Sequence, residues 1–157
     1  MALANPFDGV AVPRELVVEF FAVFARCEYA MKEAGYKRND NGIAAPAWQR
    51  LANDAGGWLA VEPNTELAEA VAQLVNDPPR LQSFDGGWQA SPLRGAGPVA
   101  NAIDAAQRVR NNLFHGGKHA PEAAPGRDEQ LVRSALTLLR AVIEQSPGDL
   151  TGAYNNG

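Results

Sequence analysis

Cysteine, histidine and long hydrophobic runs are all scarce in this sequence. A single cysteine excludes an internal disulfide, and the two histidines lie in no CxxC or HExxH pattern that would hold zinc, so we expect neither a metal nor a cofactor. No run approaches the roughly 18 apolar residues of a membrane span, and residues 1–13 lack the basic and apolar regions of a signal peptide. These absences predict a cytoplasmic protein that does not insert into membranes.

Positive charge is also in deficit, with 14 Lys and Arg against 18 Asp and Glu in 157 residues. Any nucleic-acid surface must therefore be a local patch. The length suits one domain, and 46% hydrophobic residues can build a core. We predict an N-terminal arm over residues 1–12, one domain over 13–146 and a C-terminal tail over 147–157.

Apolar residues recur at helical spacing in several segments, and no segment alternates with period two. The predicted helices cover residues 14–34, 46–55, 65–76, 99–114 and 128–145. Residues 37–42 are expected to form a polar loop, Gly56-Gly57 to end the second helix, and Asn64 or Thr65 to cap the third. The sequence thus predicts an all-α bundle of four or five helices with the last predicted helix central to the core.

Residues 77–98 are unusually long for a loop and contain four Gly and four Pro. Such loops tend to be functional or mobile. Within this one, Asp85-Gly86 predicts a small hairpin.

Two charged residues fall on apolar helix faces, where a charge requires a partner. Arg110 lies on the side of its helix that carries Ile103 and Leu113, and it is the most anomalous charge in the chain. Glu28 lies on the apolar side of the first helix, and we predict that it pairs with Arg110. The alternative is an ion pair that only fixes how the two helices pack.

The end of the same helix carries a local positive charge, although the chain as a whole is acidic. Residues 108–118 contain Arg108, Arg110 and Lys118 and no acidic residue, and His119 follows. His115 precedes Gly116-Gly117 at the negative end of the helix dipole, where a protonated imidazole is favoured. The alternatives are that His115 only contacts helix carbonyls and that His119 is an exposed loop residue.

The segment Arg108-Val109-Arg110-Asn111-Asn112-Leu113-Phe114-His115-Gly116 resembles the signature of HEPN domains. These are small α-helical bundles found in prokaryotic toxins, defence systems and RNA-processing enzymes. Their signature is an Arg, a polar residue, several spacers and a His at the end of a helix, which Arg110, Asn111 and His115 match. A long first helix and an apolar last helix extend the resemblance over residues 13–145.

The resemblance implies a homodimeric, metal-independent endoribonuclease in which the 2′-hydroxyl of RNA attacks the adjacent phosphate. His115 would transfer the proton, Arg110 would stabilise the phosphate, and Asn111 would orient His115 or a phosphate oxygen. The supporting residues would be Glu28, Arg108, Lys118 and His119. A toxin or antiphage role follows from the family, with an antitoxin or a nucleotidyltransferase as partner. The alternative is a non-catalytic helical dimer that binds RNA or a partner protein, with residues 77–98 as its contact surface.

Overall fold

The computed structural model describes residues 1–3, 5–114 and 124–157. The described residues form six helices and two short antiparallel hairpins. In chain order these are α1 (Arg14–Glu33), β1 (Lys37–Asp40), β2 (Ile43–Pro46), α2 (Trp48–Trp58), α3 (Glu66–Asn76), β3 (Leu81–Gln82), β4 (Trp88–Gln89), α4 (Pro98–Phe114), α5 (Arg127–Gln145) and α6 (Leu150–Asn156). The predicted helical architecture is confirmed, and no described helix has the length and apolar character needed to cross a membrane.

Helix α4 lies at the centre of the bundle, with α1, α2, α3 and α5 packed around it. Alanines make up much of its buried surface, and Ala102, Ala105 and Ala106 are at most 1% exposed. Small side chains let neighbouring helices approach closely on several sides. α5 packs against α1, α3 and α4 and buries two adjoining apolar stripes, as its sequence predicts.

Local signals set several helix bounds. The Thr65 Oγ1 accepts a hydrogen bond from the Ala68 N–H at 3.1 Å, which confirms Thr65 as the cap of α3. The expected stop at Gly56-Gly57 is wrong, since α2 continues through both glycines to Trp58. Glycine costs a helix only about 1 kcal/mol, and burial of Leu51 and Ala55 on the same helix offsets it.

Both hairpins turn at a residue pair that ends in glycine. Asn41 and Gly42 have φ of 50° and 87° and join β1 to β2, where the sequence predicts only a polar loop. Asn-Gly is a strong signal for this turn, but strands of four residues carry too little alternation to be recognised. The second hairpin, with Asp85-Gly86 between β3 and β4, confirms the prediction.

Both chain ends pack against the bundle more closely than the predicted arm and tail imply. Val12 is 5% exposed and Leu150 is 1% exposed, and both belong to the core. α6 packs along α1, where the Arg26 side chain donates hydrogen bonds to the backbone oxygens of Tyr154 and Gly157. Residues 150–156 thus extend the domain as a helix.

Candidate functional site

The motif residues Arg110 and Asn111 lie near the end of α4. The Arg110 guanidinium carbon lies 5.6 Å from the centre of the Phe24 ring, and Arg110 NH1 donates a hydrogen bond to Asn111 Oδ1 at 3.0 Å. A guanidinium over a ring face is attracted by the π electrons. α1 and α4 together therefore orient this partly buried arginine, while Asn111 is exposed.

Glu28 has a different partner from the one that we predict. Its Oε1 accepts a hydrogen bond from Trp48 Nε1 at 2.9 Å, and the Trp48 ring packs against Phe24 with centroids 4.9 Å apart. Arg110 and Glu28 are thus linked through two aromatic rings. We call Arg110, Phe24, Trp48 and Glu28 the Arg110 cluster. The prediction of an Arg110–Glu28 ion pair is wrong, since the Arg110 guanidinium lies over the Phe24 ring and the Glu28 carboxylate accepts from the Trp48 indole instead.

The buried arginine of α4 is Arg108. It is 4% exposed, whereas Arg110 is only partly buried, so the sequence prediction singled out the wrong charge as the most anomalous. Arg108 NH1 donates to the Ser91 carbonyl at 2.8 Å, and its NH2 donates to the Pro92 carbonyl at 2.6 Å and to Asp104 Oδ2 at 2.9 Å. A helical wheel assumes that one face of a helix is buried and the other is exposed to solvent. The polar face of α4 is also covered by protein.

Residues 91–95 cover the polar face of α4, and we call this segment the strap. It runs antiparallel to α4, because Ser91 meets Arg108, Arg94 meets Asp104, and the Gly95 N–H donates to Asn101 Oδ1 at 2.8 Å. A Cβ on Gly95 would lie 2.4 Å from the Ala100 carbonyl carbon, so only glycine fits this approach. This part of the predicted loop is fixed to α4 along its length.

Asp104 holds the centre of the strap. Its Oδ1 accepts hydrogen bonds from Arg94 NH2 at 2.8 Å and Arg94 Nε at 3.2 Å, and its Oδ2 accepts from the Arg94 backbone N–H at 3.1 Å and from Arg108. Burial acts to raise the pKa of Asp104, but hydrogen bonds from Arg94 and the charges of Arg108 and Arg94 outweigh it. The pKa consequently lies below its ordinary value of 3.8.

A polar cleft opens beside the strap, between the β1–β2 hairpin, the start of α2 and the first half of α4. Its volume is about 520 Å³, and its charged and amide-bearing lining residues are Arg38, Arg50, Arg94, Asp104, Gln49, Asn53 and Gln107. Sequence reasoning missed this arginine-lined cleft because its three arginines come from three separate segments. The available signal is the polar stripe of Asp104 and Gln107 on α4.

Three predicted site residues, His115, Lys118 and His119, lie outside the described residues. Cys27 is 2% exposed, and burial together with the charge of Glu28 raises the pKa of its thiol to about 12, so it packs in the core as a small apolar residue. Within residues 1–3, 5–114 and 124–157, no group of three His, Cys, Asp or Glu side chains is placed to hold a metal ion.

Comparison with known proteins gives no relative. No family model, curated protein or solved structure matches this chain.

Proposed function

We propose that this protein is a metal-independent endoribonuclease of the HEPN type, acting as a toxin or an antiphage effector. The observation that carries the proposal is the orientation of Arg110 by Phe24 and Asn111, five residues before His115 on the chain. A phosphate-binding arginine acts through a fixed fork of N–H groups, and two side chains fix this one. The sequence motif and the helical architecture support the same function.

The chemistry requires no protein nucleophile. The 2′-hydroxyl oxygen attacks the adjacent phosphorus, the bond to the 5′-oxygen breaks, and a 2′,3′-cyclic phosphate remains. His115 takes the 2′-hydroxyl proton or gives one to the leaving oxygen, since imidazole titrates near neutral pH. Arg110 stabilises the charge that grows on the phosphate oxygens in the transition state.

A pair of chains would complete the site. Residues five apart on a straight helix would point about 140° away from each other, so a motif with this spacing favours a site shared between two chains. In a two-fold dimer, Arg110 of one protomer and His115 of its partner would face one groove. DNA would resist cleavage because it lacks the 2′-hydroxyl.

We expect purified protein to cut single-stranded RNA in EDTA and to leave cyclic phosphate ends. His115→Ala should lower the cleavage rate by about 10²–10⁴-fold, because it removes the proton-transfer group. Arg110→Lys should lower it by about 10²-fold or more, since an ammonium does not reproduce the guanidinium fork. Gel analysis of labelled RNA measures both rates.

Arg133→Lys is the matched control for Arg110→Lys, because it makes the same change at an arginine of α5 that is 61% exposed and lies outside the motif, and it should retain cleavage. Equal cutting by His115→Ala and the parent would reject His115 as the catalytic residue. A parent that cuts no RNA would reject the nuclease.

The alternative function is a non-catalytic helical dimer that binds RNA or a partner protein. Phe84 favours it, because this aromatic residue at the turn between β3 and β4 is fully exposed. Exposed aromatic side chains are enriched where proteins bind each other. RNA binding without cleavage by the parent protein would support this alternative.

A further inference from the structure

The polar cleft beside the strap concentrates positive charge in an acidic protein. Arg38, Arg50 and Arg94 line it, and Asp104 is the one acidic residue among its described lining residues, whereas the whole chain has a net charge of -4. Asp104 contributes little repulsion toward an anion, because Arg94 and the buried Arg108 both pair with its carboxylate. The cleft is therefore suited to an anionic ligand.

Its arginines are held in place but remain open to solvent. The Arg94 side chain is 72% exposed although it pairs with Asp104. Arg50 donates to the Gly35 carbonyl, and its guanidinium carbon lies 5.0 Å from the centre of the Tyr36 ring. Arg38 pairs with Asp40 at 3.7 Å, and both side chains are more than half exposed, so this ion pair is weak. A ligand phosphate can compete with it.

Amide side chains supply the second kind of recognition. Gln49, Asn53 and Gln107 line the same cleft, and an amide both donates and accepts hydrogen bonds, as the edge of a nucleobase requires. The volume of about 520 Å³ is in the range of small-ligand sites. Arginines are suited to phosphate and amides to the edge of a base, so this lining matches the chemistry of a nucleotide.

The cleft is connected to the Arg110 cluster in two ways. Gln107 lines the cleft, and Asn111 follows one turn later on the same face of α4. Trp48 also lines the cleft, and it packs against the Phe24 ring that carries Arg110. The cleft and Arg110 thus lie on neighbouring turns of α4.

We propose that this cleft binds one nucleotide of the RNA strand next to the phosphate at Arg110. Arg38, Arg50 and Arg94 contact its phosphate, and the amides contact its base. The inference rests on the proposed function in taking RNA as the source of the nucleotide. A free nucleotide has the same chemistry, so the experiment separates the two sources.

The test measures binding of a short, fluorescein-labelled single-stranded RNA by anisotropy, with His115→Ala in every chain to prevent cleavage. Adding Arg38→Gln and Arg50→Gln should weaken binding by about tenfold or more, because it removes two charge-assisted contacts. The slope of log K against log salt should fall by about 0.7 for each lost phosphate contact. Arg133→Gln is the matched control, since this arginine is 61% exposed on α5 and does not line the cleft.

A second variant keeps the test independent of the arginines. Gln107→Glu places a negative charge on the cleft wall and should also weaken RNA binding. The second measurement is binding of adenosine monophosphate, a free nucleotide, to the same protein variants. Equal RNA affinity of the His115→Ala chain and its cleft variants would overturn the inference, and so would weaker binding of the monophosphate alone. Cleavage by the parent protein is scored separately, so failure of the cleft and failure of the nuclease give different results.

Discussion

Arg108 and Arg110 are two positions apart on α4 and have different surroundings. Arg108 is 4% exposed and joins Asp104 to the carbonyls of the strap, whereas Arg110 is partly buried against Phe24. Removing one partner of a buried ion pair leaves an uncompensated charge, which typically costs about 3–5 kcal/mol. If a substitution of Arg108 abolished activity, the cause would therefore be loss of the fold and not loss of a catalytic group.

Asp104→Asn should lower the free energy of unfolding by about 3 kcal/mol at neutral pH, because Arg108 and Arg94 lose their shared carboxylate. The pKa of Asp104 is lower in the fold than its ordinary value of 3.8, so its contribution to stability is present above that pH and is lost as the pH falls through the folded pKa. Denaturant titrations at a series of acidic pH values should show that the free energy of unfolding falls less steeply with acid for Asp104→Asn than for the parent.

Asp85→Asn is the control for that measurement, since Asp85 is exposed at the β3–β4 turn and should change stability by less than about 0.5 kcal/mol. Equal acid dependence of the parent and Asp104→Asn would contradict the role of Asp104.

The strap and α4 act as one element although they share no regular secondary structure. Hydrogen bonds with Arg108, Asp104 and Asn101 fix three points of the strap along about two turns of the helix. The strap in turn places Arg94 in the cleft wall. A substitution that displaces the strap should therefore lower the stability of the fold and also move Arg94 in the cleft wall.

Gly95→Ala should destabilise the fold by about 1–3 kcal/mol, because the added Cβ overlaps the backbone of Ala100 and Asn101. Gly97→Ala is the matched control: a Cβ there has no atom within 4 Å, so its effect should be smaller than that of Gly95→Ala. Thermal melts of both variants measure the difference. Similar melting temperatures for the two would show that the strap tolerates displacement.

Periodicity and capping predict the long elements from the sequence. Thr65 identifies the start of α3, and the apolar spacing of α1 and α5 gives their bounds nearly to the residue. α6 escapes prediction because its seven residues, which include Gly152 and two asparagines, have weak helix propensity and depend on packing against α1.

The candidate site is predicted less well than the helices. Arg110 and Asn111 are found by their motif. Burial of Arg108 depends on a strap that lies up to 17 residues away in the chain, and the cleft depends on three distant segments. Such contacts form only in the tertiary structure, which helix periodicity does not describe.

At the scale of the whole molecule, the proposed catalysis depends on a second copy of the chain. The Arg110 cluster and the cleft both include residues of α4, so a two-fold axis near the end of this helix would bring two copies of each into one groove. Pairing would also double the local positive charge, which an acidic chain needs to attract RNA.

Light scattering should therefore give twice the chain mass of 16.7 kDa at the concentrations used for the cleavage assay. Mixing His115→Ala with Arg110→Lys should restore part of the cleavage, since a mixed dimer keeps one intact composite site. A monomer mass in the cutting sample would contradict the shared site.

Trp48 gives this molecule a built-in optical probe. Its indole donates to Glu28, packs on the Phe24 ring beneath Arg110 and lines the cleft. Tryptophan emission depends on the charges and water around the ring, and Trp48 is only 9% exposed. With Trp58 and Trp88 replaced by phenylalanine, the remaining tryptophan fluorescence would come from a side chain that packs on the Phe24 ring beside Arg110 and also lines the cleft, without any attached dye.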